Sequence, residues 1–246
     1  MHTGDKVYLT LHPAEPNSGI TSSPFIWKLL QGNQSNLTLL VRPTSKSSDN
    51  AQPASYLQYT QGFQWSKSSQ LSTGVFLDMH GGDWLNRGGV KIANSTQSKN
   101  AEVGFTYSRA GALFTQQDLT GLTAGQETLE IGGTFHLSKG LKLASTYRTS
   151  TELLSPEKGG GKGATTQERE NSLTQTLPQN GGSVSTGRTE TVVTNPNGTA
   201  TTTINDTANV KGNLSKRFQA NVGFESQTTL IKGSDERQYA QTASVG

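Results

Sequence analysis

Apolar and polar residues alternate at every second position over most of this 246-residue chain. In the 126–137 segment Leu129, Ile131 and Phe135 share one parity, while Glu130 belongs to the other. The same alternation recurs in the segments 101–108, 141–149 and 217–226. A period of two is typical of a β-strand whose two faces meet different surroundings. Because no comparable window has helical spacing, the sequence predicts an all-β fold.

The connections between these runs predict their order in space. Four Ser-Lys pairs lie where one run ends and the next begins within a few residues: Ser66-Lys67, Ser98-Lys99, Ser138-Lys139 and Ser215-Lys216. Such close spacing allows only tight hairpins. Links at the other strand ends, such as 80–87 and 110–125, are mostly longer. The pattern predicts an antiparallel up-and-down meander of about ten strands: 36–42, 56–65, 70–79, 88–97, 100–109, 126–137, 141–153, 199–214, 217–231 and 237–245.

Two segments depart from the alternation. Residues 1–55 contain five prolines and are predicted to form an extended lead-in, with a candidate first strand at 36–42. Residues 56–246 are predicted to form the meander. Within it, the 155–198 segment is nearly all polar, which favours a long polar loop or a hairpin that projects into water. The Asn195-Pro-Asn-Gly198 sequence predicts the turn of such a hairpin.

The hydrophobic content is low for a water-soluble globule. Only 30% of the residues are hydrophobic, fewer than a globule of this length normally carries for its core. Partial disorder or a wall without a conventional core would explain this value, and the alternation argues against disorder for most of the chain. A transmembrane β-barrel needs no such core, because its lumen face can be polar and only its outer face must be apolar. Several predicted strands also reach the roughly 9–11 residues that a membrane-spanning strand requires.

With these features, residues 56–245 resemble bacterial outer-membrane β-barrels of the porin-like meander type. The resemblance is to this class of proteins, and it implies a transmembrane β-barrel, or part of one, in the outer membrane of a Gram-negative-type envelope. The Ser-Lys turns would then lie on the periplasmic side and the long loops outside. The terminal aromatic residue and the signal peptide of the class are missing, as expected for a piece of a longer barrel.

In such a barrel the apolar residues of each strand would face lipid, and the polar residues at the alternate positions would face the water-filled lumen. The residues expected to line the lumen are Glu102, Glu130, Lys142, Arg148 and Glu225. The residues expected to face lipid are Leu129, Ile131, Phe135, Leu141, Leu143, Tyr147, Phe218, Val222 and Phe224. The mixed lumen charges would either set a field for passing solutes or pair across strands.

Few residues indicate a catalytic, metal-binding or nucleic-acid-binding function. Cysteine is absent, so thiolate metal sites and cysteine nucleophiles are excluded. The four histidines, His2, His12, His80 and His136, lack metal-ligand spacing, and no G-x-S-x-G motif occurs. Lysine and arginine are dispersed, with a formal net charge of +3, which argues against a nucleic-acid partner. The sequence therefore predicts no catalysis, no cofactor and no metal.

One local cluster has two interpretations. Asp78, Asp83 and Trp84 could form an acidic, aromatic ligand patch at a loop mouth. The neighbouring Gly81-Gly82 pair equally favours a simple turn.

Three functional hypotheses follow from these observations. The first is an outer-membrane β-barrel, either a porin-like passive channel or a structural membrane protein, with membrane lipid and small polar solutes as its partners. The alternative is a secreted, soluble, β-rich surface or adhesin module that binds through the 155–198 region. A third and weaker hypothesis is a membrane-embedded hydrolase that uses His80 or His136. The oligomeric state is left open.

Overall fold

The computed structural model describes residues 7–11, 34–42, 54–78, 83–115, 120–177, 181–213, 219–232 and 237–245. The strands within these ranges are β1 (Val7–Leu11), β2 (Gln34–Arg42), β3 (Ala54–Ser66), β4 (Ser69–Asp78), β5 (Gly89–Gln97), β6 (Ala101–Ala110), β7 (Gln126–Ser138), β8 (Leu141–Leu153), β9 (Lys162–Thr176), β10 (Ser183–Thr194), β11 (Ala200–Asn213), β12 (Gln219–Ile231) and β13 (Arg237–Val245). A four-residue helix, α1 (Trp84–Arg87), follows β4, and a 3₁₀ turn (Pro156–Lys158) follows β8.

The thirteen described strands form one sheet in strict sequence order from β1 to β13. Each cross-strand pairing with a defined register, in β1–β4 and β9–β13, is antiparallel. The predicted all-β, antiparallel, up-and-down meander is therefore confirmed. The predicted number of about ten strands is too low, because β1 and β9 were not predicted as strands and β10 was predicted only as one arm of a hairpin in the 155–198 segment.

Two of these additional strands lie in the 155–198 segment. β9 and β10 pair over twelve residues, from Thr165↔Thr194 to Thr176↔Ser183. Their apolar residues are sparse, but they are rich in threonine, whose branched side chain favours a pleated conformation. The predicted turn at 195–198 is confirmed: Gly198 has a φ of +83°, and Thr194 pairs with Ala200 across it.

The serine of the Ser-Lys pair has a local role in the hairpins. The Ser98 hydroxyl accepts a hydrogen bond from the Ala101 amide at 3.0 Å and donates one to the Ala101 carbonyl at 3.1 Å. The Ser66 hydroxyl accepts one from the Ser68 amide at 3.2 Å. Such side-chain bonds replace ladder bonds that a tight turn cannot make. Three of the four predicted hairpins are confirmed, and the Ser215-Lys216 pair lies outside the described residues.

Contacts divide the chain into two compact units. The first unit contains residues 1–95, 106–127 and 153–161, and the second contains residues 96–105, 128–152 and 162–246. The expected division into a 1–55 lead-in and a 56–246 meander remains a prediction.

The first unit contains a small hydrophobic cluster. Phe76, Ala110, Phe114 and Leu122 are buried, and Ala124 packs against them. Phe114 and Leu122 lie between β6 and β7, in the segment predicted to be a long link. The backbone fixes this segment against α1, because the Leu113 amide donates to the Asn86 carbonyl at 2.8 Å.

The second unit is organised differently. Among its described residues no hydrophobic side chain of Ala size or larger is buried. β11 and β12 pair in an uninterrupted register over thirteen residues, from Thr201↔Ile231 to Asn213↔Gln219. Backbone pairing and cross-strand side-chain contacts therefore stabilise this unit in place of a buried core.

Replacing Gly111 with alanine is expected to destabilise the first unit strongly. A Cβ atom at Gly111 would overlap the backbone of Asn86, which a rotamer change cannot relieve. We expect the free energy of unfolding of Gly111→Ala to fall by about 2 kcal/mol or more. The matched control is Gly212→Ala, where a Cβ would meet nothing within 4 Å. Equal stability of the two variants in denaturant titrations followed by circular dichroism would contradict the close packing at Gly111.

Candidate functional site

The two faces of the second unit are defined by side-chain contacts between β8 and β9. Ser145 Oγ donates to Asn171 Oδ1 at 2.8 Å, and the Thr151 and Thr165 hydroxyls lie 3.2 Å apart. The Arg169 guanidinium lies 5.7 Å from the centre of the Tyr147 ring. All these contacts join odd-numbered residues, which therefore share one face. We name it the apolar-parity face, since it carries Leu141 and Leu143, and we name the opposite side the polar-parity face.

The residues expected to face lipid lie together on the apolar-parity face. In β7, a Cβ at Gly132 would lie 3.1 Å from Thr146 Oγ1, so the even residues of β7 and β8 share the polar-parity face and the odd residues share the other. In β12, Phe224 pairs with Ala208, which pairs with Thr186 of β10. The set that this geometry brings onto one face is Leu129, Ile131, Phe135, Leu141, Leu143, Tyr147, Val222 and Phe224. Phe218 lies outside the described residues.

These side chains remain accessible although they are apolar. Ile131 is 47% exposed and Val222 is 51% exposed, and Phe224 is also exposed. Val222 belongs to a row of four valines across β10–β13: Val184, Val210, Val222 and Val245. Their contact with lipid stays a prediction, but the alternation does produce a continuous apolar strip across four strands.

The residues expected to line a lumen lie on the polar-parity face. Glu102, Glu130, Lys142, Arg148 and Glu225 are all exposed. The Gly132–Thr146 contact sets the register of β7 with β8, and it places Glu130 of β7 opposite Arg148 of β8. The Ser145–Asn171 contact sets the register of β8 with β9, and it places Glu168 of β9 opposite the same arginine. Arg148 is therefore flanked by two carboxylates, one of which sequence reasoning missed because β9 was predicted as loop.

A cross-strand hydrogen bond holds Glu225. Asn205 Nδ2 donates to Glu225 Oε1 at 2.9 Å, between β11 and β12. Asn205 Oδ1 is buried and has no hydrogen-bond partner among the described residues. The amide therefore fixes the direction of this carboxylate on the polar-parity face.

A cluster of polar residues interrupts the apolar-parity face on β9–β11. Arg188 Nε lies 3.7 Å from Asp206 Oδ1, and both side chains are about half exposed. In β9 and β10, Arg169 pairs with Glu190, and Asn171 pairs with Arg188. We name Arg169, Asn171, Arg188, Glu190 and Asp206 the polar patch.

The polar patch borders a shallow pocket of about 380 Å³. Leu143 and Leu173 supply its apolar lining, while Asn171, Thr186, Arg188 and Asp206 supply its polar lining. The sequence did not predict this site, because its residues come from different strands and the register between those strands cannot be read from composition.

The acidic, aromatic patch expected around Asp83 has a local structural role. The Asp83 carboxylate accepts from the Asn86 amide at 3.3 Å and from Asn86 Nδ2 at 2.7 Å, which caps α1. Trp84 is exposed, and the Asp78 side chain lies outside the described part. Both carboxylate oxygens of Asp83 therefore already accept a hydrogen bond from Asn86.

Neither a metal-binding cluster nor a membrane-spanning helix occurs in the described part of the chain. No group of three or more His, Asp or Glu residues could hold a metal ion there. No helix among the described residues is long and apolar enough to cross a membrane. His136 is exposed in β7, whereas His2, His12 and His80 lie outside the described ranges.

Comparison with known proteins gives no family for this chain. It matches no protein-family model, and the comparison with curated proteins found no match. The functional argument therefore rests on the two faces and the polar patch.

The Arg188–Asp206 pair is expected to contribute little to stability. Because both side chains are solvated, a double-mutant cycle with Arg188→Ala and Asp206→Ala should give a coupling energy of about 0.2–1 kcal/mol. Screening at about 1 M salt should reduce it further. A salt-insensitive coupling above about 2 kcal/mol, measured by denaturant unfolding, would mean that the pair is shielded from water by a partner.

Proposed function

We propose that this chain forms part of the wall of an outer-membrane β-barrel that acts as a porin-like passive channel for small polar solutes. The observation that carries the proposal is the exposure of the apolar-parity face, represented by Ile131 and Val222. Exposed apolar surface on this scale is unfavourable in water and typical of an interaction surface. Hydrocarbon would cover it without requiring a second protein layer.

The polar-parity face supports the aqueous side of the proposal. Across β9–β12 it carries rows of polar side chains, such as the Glu168 carboxylate followed by the hydroxyls of Thr191, Thr203 and Thr229 in one row. Arg148 lies between Glu130 and Glu168 beside this row. Charges of both signs on a water-filled wall would create a transverse field that acts on polar solutes.

The strand lengths support membrane crossing. β7, β8 and β12 each contain thirteen residues. At about 3.3 Å per residue such a strand is roughly 43 Å long, and a tilt of about 45° leaves about 30 Å along the membrane normal. This height exceeds the apolar band of about 25 Å that outer-membrane barrels present.

One observation favours the second candidate, a soluble β-rich surface module. The polar patch lies on the apolar-parity face, where an arginine at the bilayer midplane would cost about 2–4 kcal/mol. In a soluble module the patch and its pocket, which lie within the segment from β8 to β11, would serve as a ligand surface. If the chain forms a barrel, the polar patch must lie outside the hydrocarbon region of the membrane, at the level of the lipid headgroups.

A lysine at position 131 distinguishes the two candidates. Ile131→Lys places a charge on the apolar-parity face, whereas Thr134→Lys places the same charge on the opposite face of β7. In a barrel, Ile131→Lys should lower the free energy of unfolding from lipid vesicles by about 2–4 kcal/mol, and Thr134→Lys by less than about 1 kcal/mol.

The measurement is urea titration of vesicle-bound protein, with heat-modifiable gel migration as a second readout. A soluble module tolerates both substitutions, because Ile131 is exposed to solvent. Recovery of both variants as detergent-free monomers would overturn the barrel proposal.

Charge reversal at Arg148 is expected to change ion selectivity. In planar bilayers, Arg148→Glu should shift the reversal potential toward cation preference, because three carboxylates would then adjoin on the polar-parity face. The control is Arg169→Glu, which makes the same charge change on the apolar-parity face and should leave selectivity unaltered. Equal shifts for both variants would contradict the assignment of the lumen face.

A further inference from the structure

The pocket beside the polar patch lies at a boundary between an apolar row and a polar row of the sheet. Leu143 and Leu173 lie opposite each other, because a side-chain hydrogen bond between β8 and β9 sets their register. The next row along the strands contains Asn171, Arg188 and Asp206. Both rows line the same pocket of about 380 Å³. A ligand there would contact aliphatic side chains at one end and charged groups at the other.

The apolar end of the pocket adjoins further apolar surface. On the side of Leu173 away from the polar patch, the next row contains Val184, Val210 and Val222. Each of these valines is exposed, Val210 at 49% and Val222 at 51%. A shallow pocket cannot enclose a long apolar group, but such a group could extend from Leu173 over the valine row. The surface therefore favours an amphiphile with a hydrocarbon chain over a compact polar ligand.

The charged end of the pocket suits a ligand that carries both signs of charge. Arg188 Nε lies 3.7 Å from Asp206 Oδ1, which is longer than the about 2.7–2.9 Å of a close charge-assisted hydrogen bond. Because this loose contact uses Nε, the two Nη groups of Arg188 remain as a fork of donors that matches a phosphate. The Asp206 carboxylate can accept hydrogen bonds from an ammonium group.

Asn171 supplies a second donor beside Arg188. Asn171 Oδ1 accepts a hydrogen bond from Ser145 Oγ at 2.8 Å, so Nδ2 is the part of the amide that can donate to a ligand. Asn171 and Arg188 are directly paired across β9 and β10. Both donors can therefore reach the same anionic group.

We infer that this pocket binds the headgroup of a zwitterionic phospholipid that carries a primary ammonium group. The phosphate would contact Arg188 and Asn171, the ammonium would contact Asp206, and an acyl chain would lie on Leu143 and Leu173. Arg188 and Asp206 belong to adjacent strands about 4.8 Å apart, and a phosphoethanolamine headgroup joins its two charges through a similarly short two-carbon link. The inference rests on the proposed function, because it requires lipid beside the apolar-parity face.

A bound headgroup also explains how charges can occur on a face that adjoins lipid. An arginine on that face is costly at the bilayer midplane and nearly neutral at the interface. At the interface the Arg188 guanidinium would meet a phosphate, and Asp206 would meet an ammonium. Each charge of the loose pair would then gain a partner of opposite sign.

Water-soluble dihexanoyl phospholipids test this site, because they can be titrated into the full-length folded protein with or without detergent. The probes are dihexanoyl-phosphatidylethanolamine, the corresponding phosphatidylcholine and phosphatidylglycerol, and phosphoethanolamine, which has no acyl chains. Isothermal titration calorimetry measures each Kd. We expect the phosphatidylethanolamine to bind at least about tenfold more tightly than each of the others, because only it offers both an ammonium with N–H donors and a chain.

Two variants separate the two halves of the headgroup. Arg188→Gln should weaken binding of all three lipids by about tenfold, because all three carry the phosphate. Asp206→Asn should weaken only the phosphatidylethanolamine and thereby abolish its preference over phosphatidylglycerol. The control is Lys211→Gln, which also removes one positive charge but lies on the polar-parity face of β11. It should leave all affinities unchanged.

Several outcomes would overturn the site. Equal affinity for the three lipids, or binding of none of them, would do so. Equal losses in Arg188→Gln and Lys211→Gln would mean that net charge, and not the pocket, governs binding. Phosphoethanolamine that binds as tightly as the lipid would make the ligand a water-soluble compound. Circular dichroism checks that each variant is folded, and if Arg188→Gln is not, the lipid preference of Asp206→Asn decides alone.

This test is separate from that of the channel. Ile131→Lys reports on lipid contact through folding into vesicles, whereas the dihexanoyl lipids reach the pocket without a bilayer. Selective lipid binding by a chain that does not fold into vesicles would overturn the channel and support the headgroup site. Vesicle folding without selective lipid binding would overturn the headgroup site alone.

Discussion

Backbone hydrogen bonding between adjacent antiparallel strands is the interaction on which the second unit depends. Its described residues bury no hydrophobic side chain, so the ladder must supply what a core supplies elsewhere. The pairing of β11 with β12 over thirteen residues, without a register shift, meets that need. Each strand pairs with its neighbour in sequence, which keeps loop-closure costs low.

Among the described residues, none buries either face of the second unit's strands, and the two faces differ. Apolar side chains such as Ile131 and Val222 occupy one face, and charged or hydroxylic side chains such as Arg148 and Thr203 occupy the other. The first face is unfavourable in water and the second in hydrocarbon. Lipid on one side and water on the other satisfy both, which is the physical basis of the channel proposal. In the first unit, Phe114 and Leu122 need no lipid to cover them, because both are buried in the hydrophobic cluster.

The sequence predicted those parts of the fold that depend on period and turn chemistry. Alternation identified ten of the thirteen described strands, and the Ser-Lys pairs located hairpins whose serines, such as Ser98, bond within the turn. β9 was missed, and β10 was predicted only as an arm of the hairpin around 195–198, because their threonines form strands without an apolar parity. The polar patch was also missed, since pairing Arg188 with Asp206 requires the β10–β11 register. Parity places residues on faces, but only register places them beside one another.

The polar patch limits how a membrane could contact this sheet. On β8 the apolar-parity face runs from Leu141 to Tyr147, about 20 Å along the strand. On β9–β11 the apolar rows stop at Leu173 and its neighbours, because the next row contains Arg188 and Asp206. A flat hydrocarbon boundary that ran along the cross-strand rows and covered Tyr147, with Ile131 opposite it on β7, would therefore also cover the ion pair. Since a lipid-facing charge is costly at the midplane but nearly neutral at the interface, the barrel proposal requires tilted strands, so that the boundary crosses the rows and leaves Ile131 inside the hydrocarbon and the ion pair at headgroup level. The hydrocarbon would then contact mainly the valine and leucine rows on these strands.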